Sequence, residues 1–132
     1  MLNKIFITII LLCGIASAEF LDNTNRNLCE VSNNETTVAI GCDIRENTEQ
    51  VKQAIFTMKY NVSECEEYVY YKDGTWKHTL WFINNNKGVV GSVLRDEYNV
   101  EIAKDANKTA VVNIKKLCME RYTQYKEAKN RW

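Results

Sequence analysis

Four cysteines, Cys29, Cys42, Cys65 and Cys118, constrain this chain more than any other feature. A fifth, Cys13, falls inside an N-terminal segment that reads as an export signal. Lys4 gives that segment a positive start, Ile5 to Leu12 is an apolar run, and Ala16-Ser17-Ala18 supplies the small residues a signal peptidase accepts. The run is well short of the roughly 20 residues a membrane span needs, and no later window is apolar enough, so no transmembrane segment is expected. Residues 1–18 are therefore assigned as signal peptide and residues 19–132 as a single secreted domain. An even number of cysteines in an exported chain points to two structural disulfides, since no pair has the CxxC spacing of a redox or zinc site.

Three sequons fit the same compartment: Asn34-Glu35-Thr36, Asn61-Val62-Ser63 and Asn107-Lys108-Thr109. Asn34, Asn61 and Asn107 are thus candidate glycosylation sites on exposed turns or helix starts.

The chain contains no proline among its 132 residues, and its apolar spacing reads as helical. Glu19 to Asn27 is polar and is expected to fray. A first helix, capped by Asn33 or Asn34, carries Val38, Ile40, Cys42 and Ile44. A second, capped by Asn47 or Thr48, places Val51, Ala54, Ile55 and Met58 on one stripe. Ser63 to Glu66 has the form of a capping box and opens a third helix that Asp73-Gly74 stops. Trp76, Leu80 and Ile83 keep helical spacing. A hairpin about Asp73-Gly74 is the alternative, and helix is preferred because nothing else in the chain would complete a sheet. Residues 84–88 read as a loop and Val89 to Tyr98 as a short helix. The last helix spans about Thr109 to Lys129, with Ile114, Leu117, Cys118, Tyr122 and Tyr125 inward and Lys115, Lys116, Arg121 and Lys126 outward. The expected fold class is all-α, a disulfide-stapled bundle of about five or six short helices.

Charge balances at 17 basic and 17 acidic residues, which removes the electrostatic case for nucleic acid as a partner. The balance hides a division. Residues 19–67 hold ten acids against four bases, and residues 101–132 hold eight bases against four acids. Packing of acidic against basic helices accounts for this, with a basic face for anionic surfaces as the alternative.

Catalytic patterns are missing. His78 is the single histidine, and no GxSxG, HExxH or phosphate-binding loop occurs. Glu64, Glu66 and Glu67 cluster about Cys65, where a helix dipole explains them as well as a metal would. No catalytic residue, metal or cofactor is assigned, and the chain reads as a non-enzyme. The aromatic run from Tyr68 to Phe82 is either core or the lining of a pocket, in which Trp76, Trp81 and Phe82 would face a ligand.

Leu28-Cys29, twelve residues, Cys42, then Ile44-Arg45, an amphipathic stretch and Cys65 together form a pattern that resembles the microplusin family. These are small secreted, disulfide-bonded, all-helical antimicrobial proteins of ticks and other arachnids. The likeness covers Leu28 to Cys65, with Cys118 matching the family's last cysteine. It implies a helical fold, secretion and a defence role. Two further cysteines of the family are absent, Tyr70 and Thr75 standing about where they would fall. The family's copper or iron sequestration uses histidine-rich termini, which this chain lacks, so no metal site is carried over. On the helical layout the four cysteines allow three connectivities, of which Cys29–Cys118 with Cys42–Cys65 is preferred. The expected function is a secreted, antimicrobial-like protein acting by binding, with a microbial surface, a small apolar ligand or a host protein as partner. The alternatives are an extracellular carrier of small apolar ligands and a protein-binding salivary or venom effector.

Overall fold

A computed structural model describes residues 18–22, 27–84, 89–95, 100–102 and 107–130, so the signal segment 1–17 lies outside the described residues. Seven strands follow one another: β1 (Asn27–Asn33), β2 (Thr37–Ile44), β3 (Val51–Lys59), β4 (Glu64–Tyr71), β5 (Trp76–Asn84), β6 (Val89–Arg95) and β7 (Val100–Ile102). They form one antiparallel sheet in sequence order. A single long helix, α1 (Lys108–Asn130), completes the described elements together with a short 3-10 turn, Glu19–Leu21. The all-α bundle expected from the sequence, and the helical fold implied by the microplusin likeness, are therefore overturned. Only the last of the expected helices is present.

Alternation explains why these segments are strands. In β2 the side chains Val38, Ile40, Cys42 and Ile44 are buried while the residues between them are not, the period of two that puts one face of a strand inward. The segment 51–58 looks helical because its ladder contains an irregularity between Val51 and Gln53. The additional residue, Lys52, resets the alternation, so Val51 and Ala54 both face the core although they are three residues apart. Ile55 then falls on the opposite face from Ala54, Phe56 and Met58. The predicted caps are turn residues instead. Asn34 Oδ1 accepts the Thr36 and Thr37 amides at 2.9 Å each and closes the β1–β2 hairpin. Asn47 Oδ1 accepts the Val51 amide at 2.9 Å between β2 and β3. The third expected helix start, at Ser63, lies in the β3–β4 turn, where Asn61 Oδ1 accepts the Ser63 amide. The Thr75–Ile83 segment is the strand β5 of a hairpin, with Gly74 at a φ of 89° that favours glycine.

An antiparallel sheet needs one face covered, and α1 supplies the cover. Ile114, Leu117, Cys118, Tyr125 and Ala128 of the helix join Val38, Ile40, Cys42, Ala54, Phe56, Met58, Cys65, Val69, Trp81 and Val90 of the sheet in one core. Phe56 and Tyr125 stack with ring centroids 5.3 Å apart. Phe20 and Leu21 of the 3-10 turn are also buried, so this part of the N-terminal stretch expected to fray is docked instead. The Phe20 amide donates to Glu49 Oε2 at 2.7 Å.

Two disulfides correct the expected pairing. Cys29 bonds to Cys42, its direct neighbour across β1 and β2, and Cys65 of β4 bonds to Cys118 of α1. The expected bonds presumed a helix between Cys42 and Cys65; with strands there, Cys29 and Cys42 share a ladder position with Cα atoms 4.0 Å apart. Cys65–Cys118 spans 53 residues and ties the helix to the sheet, a closure worth about 4 kcal/mol in the chain-entropy model.

A buried polar contact reinforces that seam. Glu67 projects from β4 into the core at 7 % exposure. The Tyr125 hydroxyl donates to Glu67 Oε2 at 2.8 Å, and Arg121 Nε lies 3.5 Å from the same oxygen. Arg121, expected to face outward, is thus drawn inward one turn before Tyr125. Burial pushes the Glu67 carboxyl above its usual range, partly opposed by Arg121 and by the Tyr125 hydrogen bond. Burial likewise raises Tyr125 well above the ordinary phenol value, with the Glu67 charge adding to the effect.

Replacing Cys65 and Cys118 together by alanine is expected to lower unfolding free energy by roughly 2–4 kcal/mol in urea titrations. The Cys29/Cys42 double variant should lose less, because the hairpin already holds those strands; equal losses would contradict a helix clamp. Glu67 binds its proton more tightly folded than unfolded. Its contribution to stability is therefore full below the ordinary carboxylate range and is lost as pH rises through the raised value. The stability difference between the native protein and Glu67→Gln should accordingly decline from acid to neutral pH, and a flat difference would refute the assignment.

Candidate functional site

Alternation that sends one set of side chains under the helix sends the other set to the opposite face of the sheet. Register places these outer residues in transverse rows. Glu30, Gly41, Ile55, Tyr68 and His78 form one row across β1 to β5. Asp43, Gln53, Tyr70 and Trp76 form the row on one side of it, and Ala39, Thr57, Glu66 and Leu80 the row on the other. Glu64 and Phe82 follow in a further row.

The β4–β5 part of this face is aromatic. Tyr68 and His78 stack with ring centroids 4.0 Å apart and planes 4° from parallel. Tyr68 and Tyr70 lie 6.2 Å apart and 9° from parallel. Trp76 is the cross-strand neighbour of Tyr70. Ile55, Tyr68, Tyr70, Trp76, Leu80 and Phe82 are all half-buried, and none belongs to the core cluster under α1 or packs against it. They shield one another along the strands instead, as cross-strand pairs do. Side chains of this size on a face that no described element covers form a surface suited to a partner.

Polar groups frame the rings. His78 Nε2 lies 2.9 Å from Glu66 Oε2, which fixes the imidazole parallel to Tyr68. Lys59 Nζ pairs with Glu64 at 2.7 Å. Glu30 and Asp43 are exposed and have no ion pair among the described residues. Among the described residues no three His, Cys, Asp or Glu side chains come together as a metal site would require.

Of the three aromatic residues expected to face a common ligand, the structure separates one from the other two. Trp76 and Phe82 are on the outer face, whereas Trp81 lies inside at 6 % exposure beside Cys65. The three therefore do not line one pocket. Of the acidic trio, Glu64 and Glu66 are on the outer face while Glu67 is the buried partner of Tyr125. Tyr68 and Tyr70 belong to the aromatic run singled out from the sequence, but their union as one platform, with Glu30 and Asp43 as outlying charges, comes from strand pairing. The alternation Glu66-Tyr68-Tyr70 in β4 carried the signal.

Asn34, Asn61 and Asn107 are all exposed. Asn34 and Asn61 stand in neighbouring turns, joined by a bond from the Tyr60 amide to the Thr36 carbonyl at 2.9 Å. Asn107 accepts the Ala110 amide at 2.9 Å and caps α1.

No family model, curated protein or solved structure matches this chain.

The two tryptophans of β5 should respond oppositely to a soluble quencher. Trp76→Phe is expected to remove most of the acrylamide-accessible fluorescence contributed by β5, and Trp81→Phe little of it. Trp81→Ala should cost about 3–5 kcal/mol of stability, against roughly 1 kcal/mol or less for Tyr70→Ala on the outer face. A quenching pattern with Trp81 as the accessible ring would reverse the two faces.

Proposed function

We propose that this is a secreted, non-enzymatic binding protein whose working surface is the outer face of β4 and β5. The observation that carries the proposal is the parallel stack of Tyr68 with His78 and Tyr70 on a face that no described element covers. Rings of this kind supply large contact area at little cost in side-chain entropy, and for that reason they dominate binding surfaces. His78 is engaged by Glu66 and stacked on Tyr68, so it serves as part of the platform. Secretion is supported by the signal-like N-terminus and by two disulfides, which persist in oxidising compartments.

A carrier of small apolar ligands would need room between sheet and helix. That space holds Tyr125, Phe56, Leu117 and Ile114, packed together, so the outer face is the better supported surface. The defence role came with a likeness whose helical fold is absent, and it adds nothing to the choice of surface.

Immobilised protein should be probed with panels of peptides, oligosaccharides and lipid vesicles beside two double variants. Tyr68→Ala with Trp76→Ala removes the platform. Val112→Ala with Met119→Ala trims exposed apolar side chains of the helix. Ligands of the native protein should weaken by about tenfold or more in the first variant and bind the second unchanged, with circular dichroism confirming both folds. Ligands that bind the platform variant as well as the native protein would place the function elsewhere.

A further inference from the structure

The outer face is acidic as well as aromatic. Glu30, Asp43, Glu64 and Glu66 stand there among the described side chains, opposed by Lys59 and by Lys52, which is exposed at the β3 irregularity. Lys59 is taken up by Glu64, and Glu66 by His78. The exposed lysines Lys108, Lys115, Lys116 and Lys126 belong to α1, on the other side of the sheet. Part of the charge division along the sequence is thus carried onto the two faces, although α1 also bears Glu120 and Glu127.

Register sets where the free carboxylates lie relative to the rings. Asp43 is two strands from Tyr70 in one row, and Glu30 is three strands from Tyr68 in the next. At the usual strand spacing those separations are about 10 Å and about 14 Å. Between them the floor is low. Gly41 has no side chain, and a Cβ built there would meet only Ile55 Cγ1, at 3.8 Å. One end of each row offers a negative charge and the other a ring face, two groups that attract a cation by different physics.

We infer that the ligand of this face is a cationic polypeptide segment, Lys- or Arg-rich and extended, laid across β2 and β3 between the carboxylates and the rings. This inference rests on the binding role proposed for the same face. One cationic side chain sits over Tyr68 or Tyr70, and a second reaches Glu30 or Asp43. In an extended chain, side chains on one face recur about every 6.8 Å, so cations four residues apart, about 14 Å, match the Glu30-to-Tyr68 separation. Charge complementarity favours this ligand over a neutral oligosaccharide, which would use the rings but gain nothing from the outlying carboxylates.

The test uses the full secreted chain and a fluorescein-labelled peptide of alternating Arg and Ser about ten residues long, read by anisotropy. Its controls are the matching Glu-Ser peptide and cellohexaose. The Arg peptide should bind, and lose about tenfold in affinity between roughly 50 mM and 300 mM salt. Gly41→Leu fills the floor and should reduce binding about tenfold, as should Tyr68→Ala with Trp76→Ala. Glu30→Gln with Asp43→Asn should weaken it about fivefold and flatten the salt dependence. Equal binding of the Glu peptide, or Arg-peptide binding indifferent to these variants, would overturn the inference. Cellohexaose binding lost in the platform variant, with the Arg peptide inert, would overturn it while leaving the binding role of the face standing. Self-association of the protein abolished by Gly41→Leu would overturn it too, assigning the face to the basic helix of a second copy.

Discussion

The seam between α1 and the inner face of the sheet is the contact on which the rest of the structure depends. A seven-stranded antiparallel meander pairs the backbone of its interior strands but leaves apolar side chains on one face, and strands alone cannot hide them. The helix covers that face with Ile114, Leu117, Tyr125 and Ala128, and the Cys65–Cys118 bond keeps it there. Glu67 adds a polar constraint at the same seam. Its carboxylate is buried and needs the Tyr125 hydroxyl and the Arg121 guanidinium, both on α1, so a helix displaced along its axis would strand a charge in the core. Apolar burial thus supplies the driving force, and one buried oxygen specifies position.

That seam also decides which face can work. Once the helix occupies the inner side, no described element is left to cover the outer side. Its side chains are not the small polar residues of a wet sheet; Tyr68, Tyr70, Trp76, Leu80 and Phe82 lie together on two neighbouring strands. Their mutual stacking limits the apolar area each one shows, and Glu66 with His78 keeps the stack polar at its margin. The proposed binding role and the proposed cationic ligand both follow from this division of labour between faces.

Several features were legible in the residues and misread for identifiable reasons. Val38, Ile40, Cys42 and Ile44 have a period of two, yet the Asn before them looked like a helix cap. Asn and Asp side chains accept backbone amides in both settings, at helix starts and in tight turns, so the residue type alone does not separate the two. Val51 and Ala54 mimicked helical spacing because Lys52 sits at a ladder irregularity. The missing prolines suit helices, but an interior strand needs every backbone amide and excludes proline equally well. With β2, β3 and β4 read as helices, Thr75–Ile83 has no sheet to join, and one error supports the next.

By itself the sequence determined the local facts that need no partner: the cysteine number, the charge asymmetry, the exposed sequons, and the helix that α1 became. In that helix Ile114, Leu117, Cys118 and Tyr125 fall on one side whatever they meet. The tertiary structure alone decided what depends on residues distant in the chain. Cys29 chose Cys42 because the β1–β2 register puts them opposite each other. Arg121 turned inward because Glu67, over fifty residues earlier, is buried within its reach. Trp76 and Trp81 parted company because five steps along a strand reverse the side-chain direction, whereas along a helix they do not oppose each other so sharply. Strand pairing is a relation between segments, and its consequences for charge, pairing and exposure are set only when the segments meet.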